Sequence, residues 1–68
     1  MPSQTIASEK IDVERKSFFI DLKENQRGRF LRITEQASYR RDTIILPAEA
    51  FGEFLEAMQR LMEFESKL

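Results

Sequence analysis

Between Lys23 and Ile33 the chain reads Lys-Glu-Asn-Gln-Arg-Gly-Arg-Phe-Leu-Arg-Ile. Four cations, Lys23, Arg27, Arg29 and Arg32, stand there against one anion, Glu24, with one aromatic, Phe30, among them. That mixture suits a single-stranded nucleic acid, because the cations hold phosphates and an aromatic ring stacks a base. Lys23 offers a point charge, Arg27 a planar fork for a phosphate or a guanine edge, and Asn25 both a donor and an acceptor. The same residues also fit a plainer reading: a surface hairpin with solvated arginines and Phe30 in the core.

These groups converge only if the segment is a hairpin. Gly28 supplies the positive φ that a tight turn needs near its tip, and Asn25 tolerates the same region and can bond the local backbone. Upstream, Ser17 to Lys23 alternates: Phe18, Ile20 and Leu22 point one way, Phe19, Asp21 and Lys23 the other. Downstream, Leu31 and Ile33 share a face with Arg29 and Glu35 at its ends, while Phe30, Arg32 and Thr34 take the opposite one. If pairing keeps the apolar faces together, Phe19, Lys23, Phe30 and Arg32 share one open surface. Phe19 on that face fits packing against a neighbour or a stacking platform.

The flanks supply the remaining elements. Thr5 to Val13 alternates imperfectly, with Ala7, Ile11 and Val13 on one parity interrupted by Glu9. Glu14-Arg15-Lys16 is a charged connector and Gln36-Ala37-Ser38 a turn. Tyr39 to Leu46 reads as a fourth strand whose apolar end suggests burial on both faces or a place in a dimer core. Arg40-Arg41 could reach phosphates or act as solvated edge charge. From Pro47 to Leu68 the pattern is helical. Proline suits the first turn, and Phe51, Phe54, Leu55, Met58, Leu61 and Met62 recur at three- and four-residue steps. Phe64 falls off this stripe and can meet a second subunit. Gly52 costs about 1 kcal/mol relative to alanine inside a helix; it fits close approach of a partner helix, or is incidental. The expected fold is α+β: a four-stranded antiparallel sheet, with strands near 5–13, 17–24, 29–35 and 39–46, followed by one C-terminal helix. Residues 1–4 are expected to fray, leaving one domain over 5–68.

Phe19-Ile20-Asp21-Leu22, the run Lys23 to Ile33, and Ile45-Leu46-Pro47-Ala48 together resemble the PUR repeat of the purine-rich-element-binding proteins. The likeness is closest to the second repeat of the family's three-repeat members, and it extends loosely from about Ile6 to the C-terminus. It implies a Whirly-like repeat, two of which intertwine into one globule, binding single-stranded purine-rich DNA and RNA and unwinding short duplexes. In the family the lysine, asparagine and arginine of a K-x-N-x-R pattern contact nucleic acid; the matching residues are Lys23, Asn25 and Arg27. The family's base-stacking aromatic matches Phe30. The linker between the first two strands also contributes, and there Lys16 fits while Glu14 departs. With a single repeat, as in a bacterial-type version, the resemblance implies a homodimer. The expected interface is Phe51, Phe54, Leu55, Met58, Leu61, Met62 and Phe64.

Composition narrows the function further. Sixty-eight residues make one small domain that buries a limited share of its surface, so oligomerisation is the natural source of extra core. Without cysteine or histidine the chain lacks a thiol nucleophile, the commonest general base and thiolate metal ligands. Ser8 and Ser17 have no evident activating partner, and Asp12 and Asp21 read as ion-pair partners. No phosphate-binding glycine loop or metal-ligand spacing occurs. The expectation is therefore no enzyme, cofactor, metal or small-molecule substrate. No stretch approaches a membrane span or a signal peptide, and a cytoplasmic protein is expected, nucleoid-associated if bacterial. The net charge of −1 hides a segregation: residues 1–46 carry nine Lys/Arg and seven Asp/Glu, residues 47–68 two and five. A polyanion would meet the first part of the chain, not the helix. Two functions remain: a homodimeric binder of single-stranded, purine-rich DNA or RNA acting as a regulator, or a non-catalytic dimerising module for protein contacts.

Overall fold

The computed structural model describes residues 2–68. Four strands form an antiparallel meander in chain order: β1 (Gln4–Val13), β2 (Lys16–Asn25), β3 (Gly28–Ala37) and β4 (Arg40–Pro47). A 3-10 turn (Ala48–Ala50) leads into one helix, α1 (Phe51–Glu65). The expected order and fold class hold. Of the N-terminal stretch expected to fray, Met1 lies outside the described residues and Gln4 opens β1.

Each pair of strands is joined by two residues, and this lengthens the strands beyond the alternation visible in sequence. Val13 pairs with Lys16, Asn25 with Gly28, and Ala37 with Arg40. The connectors are thus Glu14-Arg15, Gln26-Arg27 and Ser38-Tyr39. Lys16, Asn25, Gln36 and Ala37, expected in turns, belong to strands, and Tyr39 moves from a strand to a turn. At the central hairpin the positive φ falls on Gly28, at 133°, and not on Asn25, whose side chain braces the turn instead. At the outer hairpins Glu14 (φ 55°) and Ser38 (φ 36°) adopt the left-handed region without being glycine.

The register sorts the side chains onto two faces. Phe18, Ile20 and Leu22 of β2 lie beside Ile33 and Leu31 of β3, which lie beside Ile44 and Leu46 of β4. On β1 the register shifts between Thr5 and Ala7, setting Ile6 out of step, so Ala7, Glu9 and Ile11 join the apolar face. Glu9, which interrupts the alternation, stays in register on that face opposite Ile20. The other face carries Lys10, Phe19, Asp21, Lys23, Phe30, Arg32, Thr34, Thr43 and Ile45.

Among the described residues no hydrophobic side chain is fully buried, and only Thr34 is, at 1% exposure. Thr34 sits between Phe19 and Thr43 in register, with its hydroxyl 3.3 Å from that of Thr43. Ile44 and Ile45, expected either to be buried on both faces of β4 or to enter a dimer core, are each 55% exposed in the single chain, where β4 is an edge strand.

The helix starts later and stops earlier than its sequence pattern. Pro47 ends β4 with an extended ψ of 152°. Its missing N–H is harmless at the end of an edge strand, and its fixed φ serves strand or helix alike. At the other end the Ser66 hydroxyl donates to the Glu63 carbonyl (2.7 Å) and its N–H to Met62 (3.0 Å), closing the last turn. The stripe is left largely uncovered: Leu55, Leu61 and Met62 are all more than half exposed, as is Phe64 beside it. The Cα radius of gyration is 14.0 Å, against about 11 Å for a compact domain of this length.

Candidate nucleic-acid interface

Antiparallel pairing brings the candidate residues together by parity. Lys23 lies opposite Phe30, Asp21 opposite Arg32, and Phe19 opposite Thr34. Phe19, Lys23, Phe30 and Arg32 therefore share the face opposite the apolar one, as the alternation requires. Asn25 and Arg27 stand at the tip of the same hairpin. The Asn25 carboxamide oxygen accepts the Arg27 N–H at 2.8 Å, fixing the turn and leaving the amide nitrogen as the donor for a ligand.

The cations divide into free and neutralised groups. Lys23 donates to the Thr5 hydroxyl at 2.8 Å and meets no carboxylate. Among the described residues, Lys23, Arg27 and Arg32 form no ion pair. Arg32 also has a buried Nε without a partner. By contrast, Arg29 lies on the apolar face bonded to Glu24 (3.0 Å), and Lys16 lies there bonded to Glu35 (3.0 Å). Two of the eight candidates thus have their charge balanced, and in register they fall on the opposite parity from Phe19, Lys23, Phe30 and Arg32.

Phe19 is half-buried, with the Lys10 ammonium 5.5 Å from its ring centroid. A cation already sits over that ring, which is a favourable contact in its own right. Phe30 is half-buried and has no such cap. Asp21 accepts from the Ser8 hydroxyl (2.6 Å) instead of pairing with a cation, which corrects the ion-pair expectation. Asp12 accepts from Ser17 (2.6 Å) and lies 3.6 Å from Lys10. The Ser17 hydrogen bond, helped by Lys10, holds the Asp12 carboxyl below its ordinary value.

One cleft opens beside the hairpin tip. It measures about 410 Å³ and is lined by Asn25, Arg27, Arg29 and Phe30 from the hairpin and by Ile45, Pro47 and Glu49 from across β4. The second group was not legible as part of a site. The signal was present in the parity of β4, where Pro47 falls opposite Phe30 and Ile45 opposite Arg32. It was hidden because Pro47 reads as a helix residue in sequence.

Comparison with known proteins identifies the family. The chain matches the family described as PurA ssDNA and RNA-binding protein over residues 1–67. It is 47% identical over 51 residues to the transcription factor Pur-alpha 1 of Arabidopsis thaliana, covering 75% of this chain and 17% of the relative. It is 39% identical over 69 residues to the human transcriptional activator protein Pur-alpha, covering 91% of this chain and 21% of the relative. The human purine-rich element-binding protein gamma is 36% identical over 75 residues, covering 91% and 22%. The chain spans about a fifth of the length of these curated relatives. A four-stranded antiparallel meander with one C-terminal helix, matched over nearly its whole length, belongs to the PurA family.

Proposed function

We propose that the chain binds single-stranded, purine-rich DNA or RNA as a homodimer and serves as a regulator of transcription, of RNA or of the nucleoid. The observation that carries this reading is the common face of Lys23, Phe30 and Arg32, whose cations lack carboxylate partners and whose aromatic lies between strand and cleft. Free charge draws phosphates, and an uncapped ring stacks a base whatever its identity. The family description and the relatives' names, a transcription factor and an activator, support the same assignment.

The dimer rests on uncovered area. The single chain exposes 6064 Å², whereas a compact monomer of this mass exposes roughly 4,500 Å². The excess is about 1,600 Å² per chain, and two such surfaces fall within the range of obligate homodimer interfaces. Its two parts fit one another: an apolar sheet face, and a helix with an apolar stripe.

Binding to a fluorescent GGN-repeat oligonucleotide, titrated at several salt concentrations, tests the assignment. A binder weakens as salt rises, by about 0.7 in log K per log salt for each single-strand phosphate neutralised. Absence of binding at low salt rejects the reading in favour of a protein-contact module.

A further inference from the structure

The face shared by Phe19, Lys23, Phe30 and Arg32 is not equally open, and β1 makes the difference. The side chains of β1 on that face are spent, one for one, on the row they meet in β2. Thr5 accepts from Lys23 (2.8 Å), Ser8 donates to Asp21 (2.6 Å), Lys10 stands over Phe19 (5.5 Å to the ring centroid), and Asp12 accepts from Ser17 (2.6 Å). All four pairs are register partners. The Thr5 bond leaves the Lys23 charge unbalanced, so Lys23 still suits a phosphate. Phe19 differs. The ammonium over its ring is also held from the side, 3.6 Å from Asp12, and the Ser17 hydroxyl anchors that carboxylate in turn. On β3, among the described residues, Phe30 carries no cation and Arg32 keeps an unpartnered Nε.

An aromatic side chain stacks a base through its ring face, and at Phe19 the Lys10 ammonium holds that space. A base settles there only by pushing Lys10 off the ring and away from Asp12. An exposed cation–π contact and an exposed ion pair are each small, but together they are comparable to one base stack. A base therefore gains little at Phe19 and the whole stack at Phe30. We propose that Lys10, steadied by Asp12, is a clasp that keeps Phe19 from stacking, so that each sheet offers a single strand one open aromatic, Phe30. This rests on the single-strand reading above, and it gives a cation on the binding face a restraining role instead of a phosphate-holding one.

The test titrates the GGN-repeat oligonucleotide against wild type, Lys10→Ala, Lys10→Arg and a double variant, Lys10→Ala with Phe19→Leu, with a thermal melt of each. Lys10 is exposed, so its substitutions are expected to fold. Lys10→Ala is expected to tighten binding by about fivefold, the lower end of one base stack, although it removes a cation and leaves Asp12 unbalanced. Lys10→Arg keeps both contacts and should bind as the wild type does. The double variant should lose the gain, which ties that gain to the ring. NMR of labelled phenylalanine rings gives a second readout that needs no Phe19 variant. On adding the oligonucleotide to wild type, the Phe30 signals should move and those of Phe19 stay; in Lys10→Ala both should move. If Lys10→Ala binds no more tightly than wild type, or the Phe19 ring shifts in wild type, the inference is overturned and single-strand binding is left standing. If the wild type binds no oligonucleotide at low salt, the underlying reading falls as well.

Discussion

Phe30 and Arg27 lie three positions apart, and their loss should be felt differently. Phe30 is on the face opposite Leu31 and Ile33 and is only half-buried, so Phe30→Ala should leave the sheet folded. It is expected to weaken single-strand binding by about 1–3 kcal/mol, the worth of one base stack, without changing the salt slope. Arg27→Ala removes a free charge at the tip and is expected to flatten that slope by about 0.7. Affinity at several salt concentrations, with a thermal melt of each variant, checks both. A Phe30→Ala protein that folds and binds normally rejects stacking. Asp12 offers a second residue-level measurement. Its carboxyl is held low in the folded state, chiefly by the Ser17 hydroxyl. The stabilisation is therefore present at neutral pH and lost as pH falls through the depressed folded value. Ser17→Ala should raise the Asp12 midpoint in an NMR titration; an unmoved midpoint refutes the assignment.

The two glycines of the chain sit in different elements and should respond in opposite senses to alanine. At Gly28 an added Cβ would meet nothing within 4 Å, but φ is 133°, so the cost is torsional. Gly28→Ala is expected to destabilise by about 1 kcal/mol or more. Gly52 is helical and also meets nothing, on the flank shared with Glu56, Gln59 and Glu63. Gly52→Ala is expected to stabilise by about 1 kcal/mol. Chemical denaturation separates the two, and loss of stability at Gly52 would show that a partner packs there. These elements also mark what the sequence could disclose. Parity from Phe18 to Thr34 was enough to set the two faces of the central hairpin, because each side chain's direction follows from its neighbour's. The bulge at Ile6 was not legible, since a register shift mimics a broken pattern. Nor was Pro47 as a wall of the cleft, because proline satisfies a strand end and a first helical turn equally well.

At the scale of the whole molecule, the sheet and the helix leave each other uncovered in the single chain, and the proposed dimer is what would cover them. Sedimentation is expected to give twice the chain mass at micromolar concentration, and melting temperature should rise with concentration. Leu61→Asp, on a helix position that is 70% exposed in the single chain, should shift that equilibrium toward monomer. A folded, concentration-independent monomer would reject the dimer. The meander also bears on how such a dimer is made. Every strand pairs with its sequence neighbour through a two-residue connection, so the sheet's contacts are short in sequence, and such topologies form quickly. The helix has no comparable local partner. Refolding should therefore show a fast unimolecular phase as hairpins close, then a slower phase whose rate rises with protein concentration as helices find the second chain. Newly made chains would spend that interval as open sheets with an apolar face in water, and the bulged and arginine-bearing edges of β1 and β4 would guard against edge-to-edge polymerisation during the search.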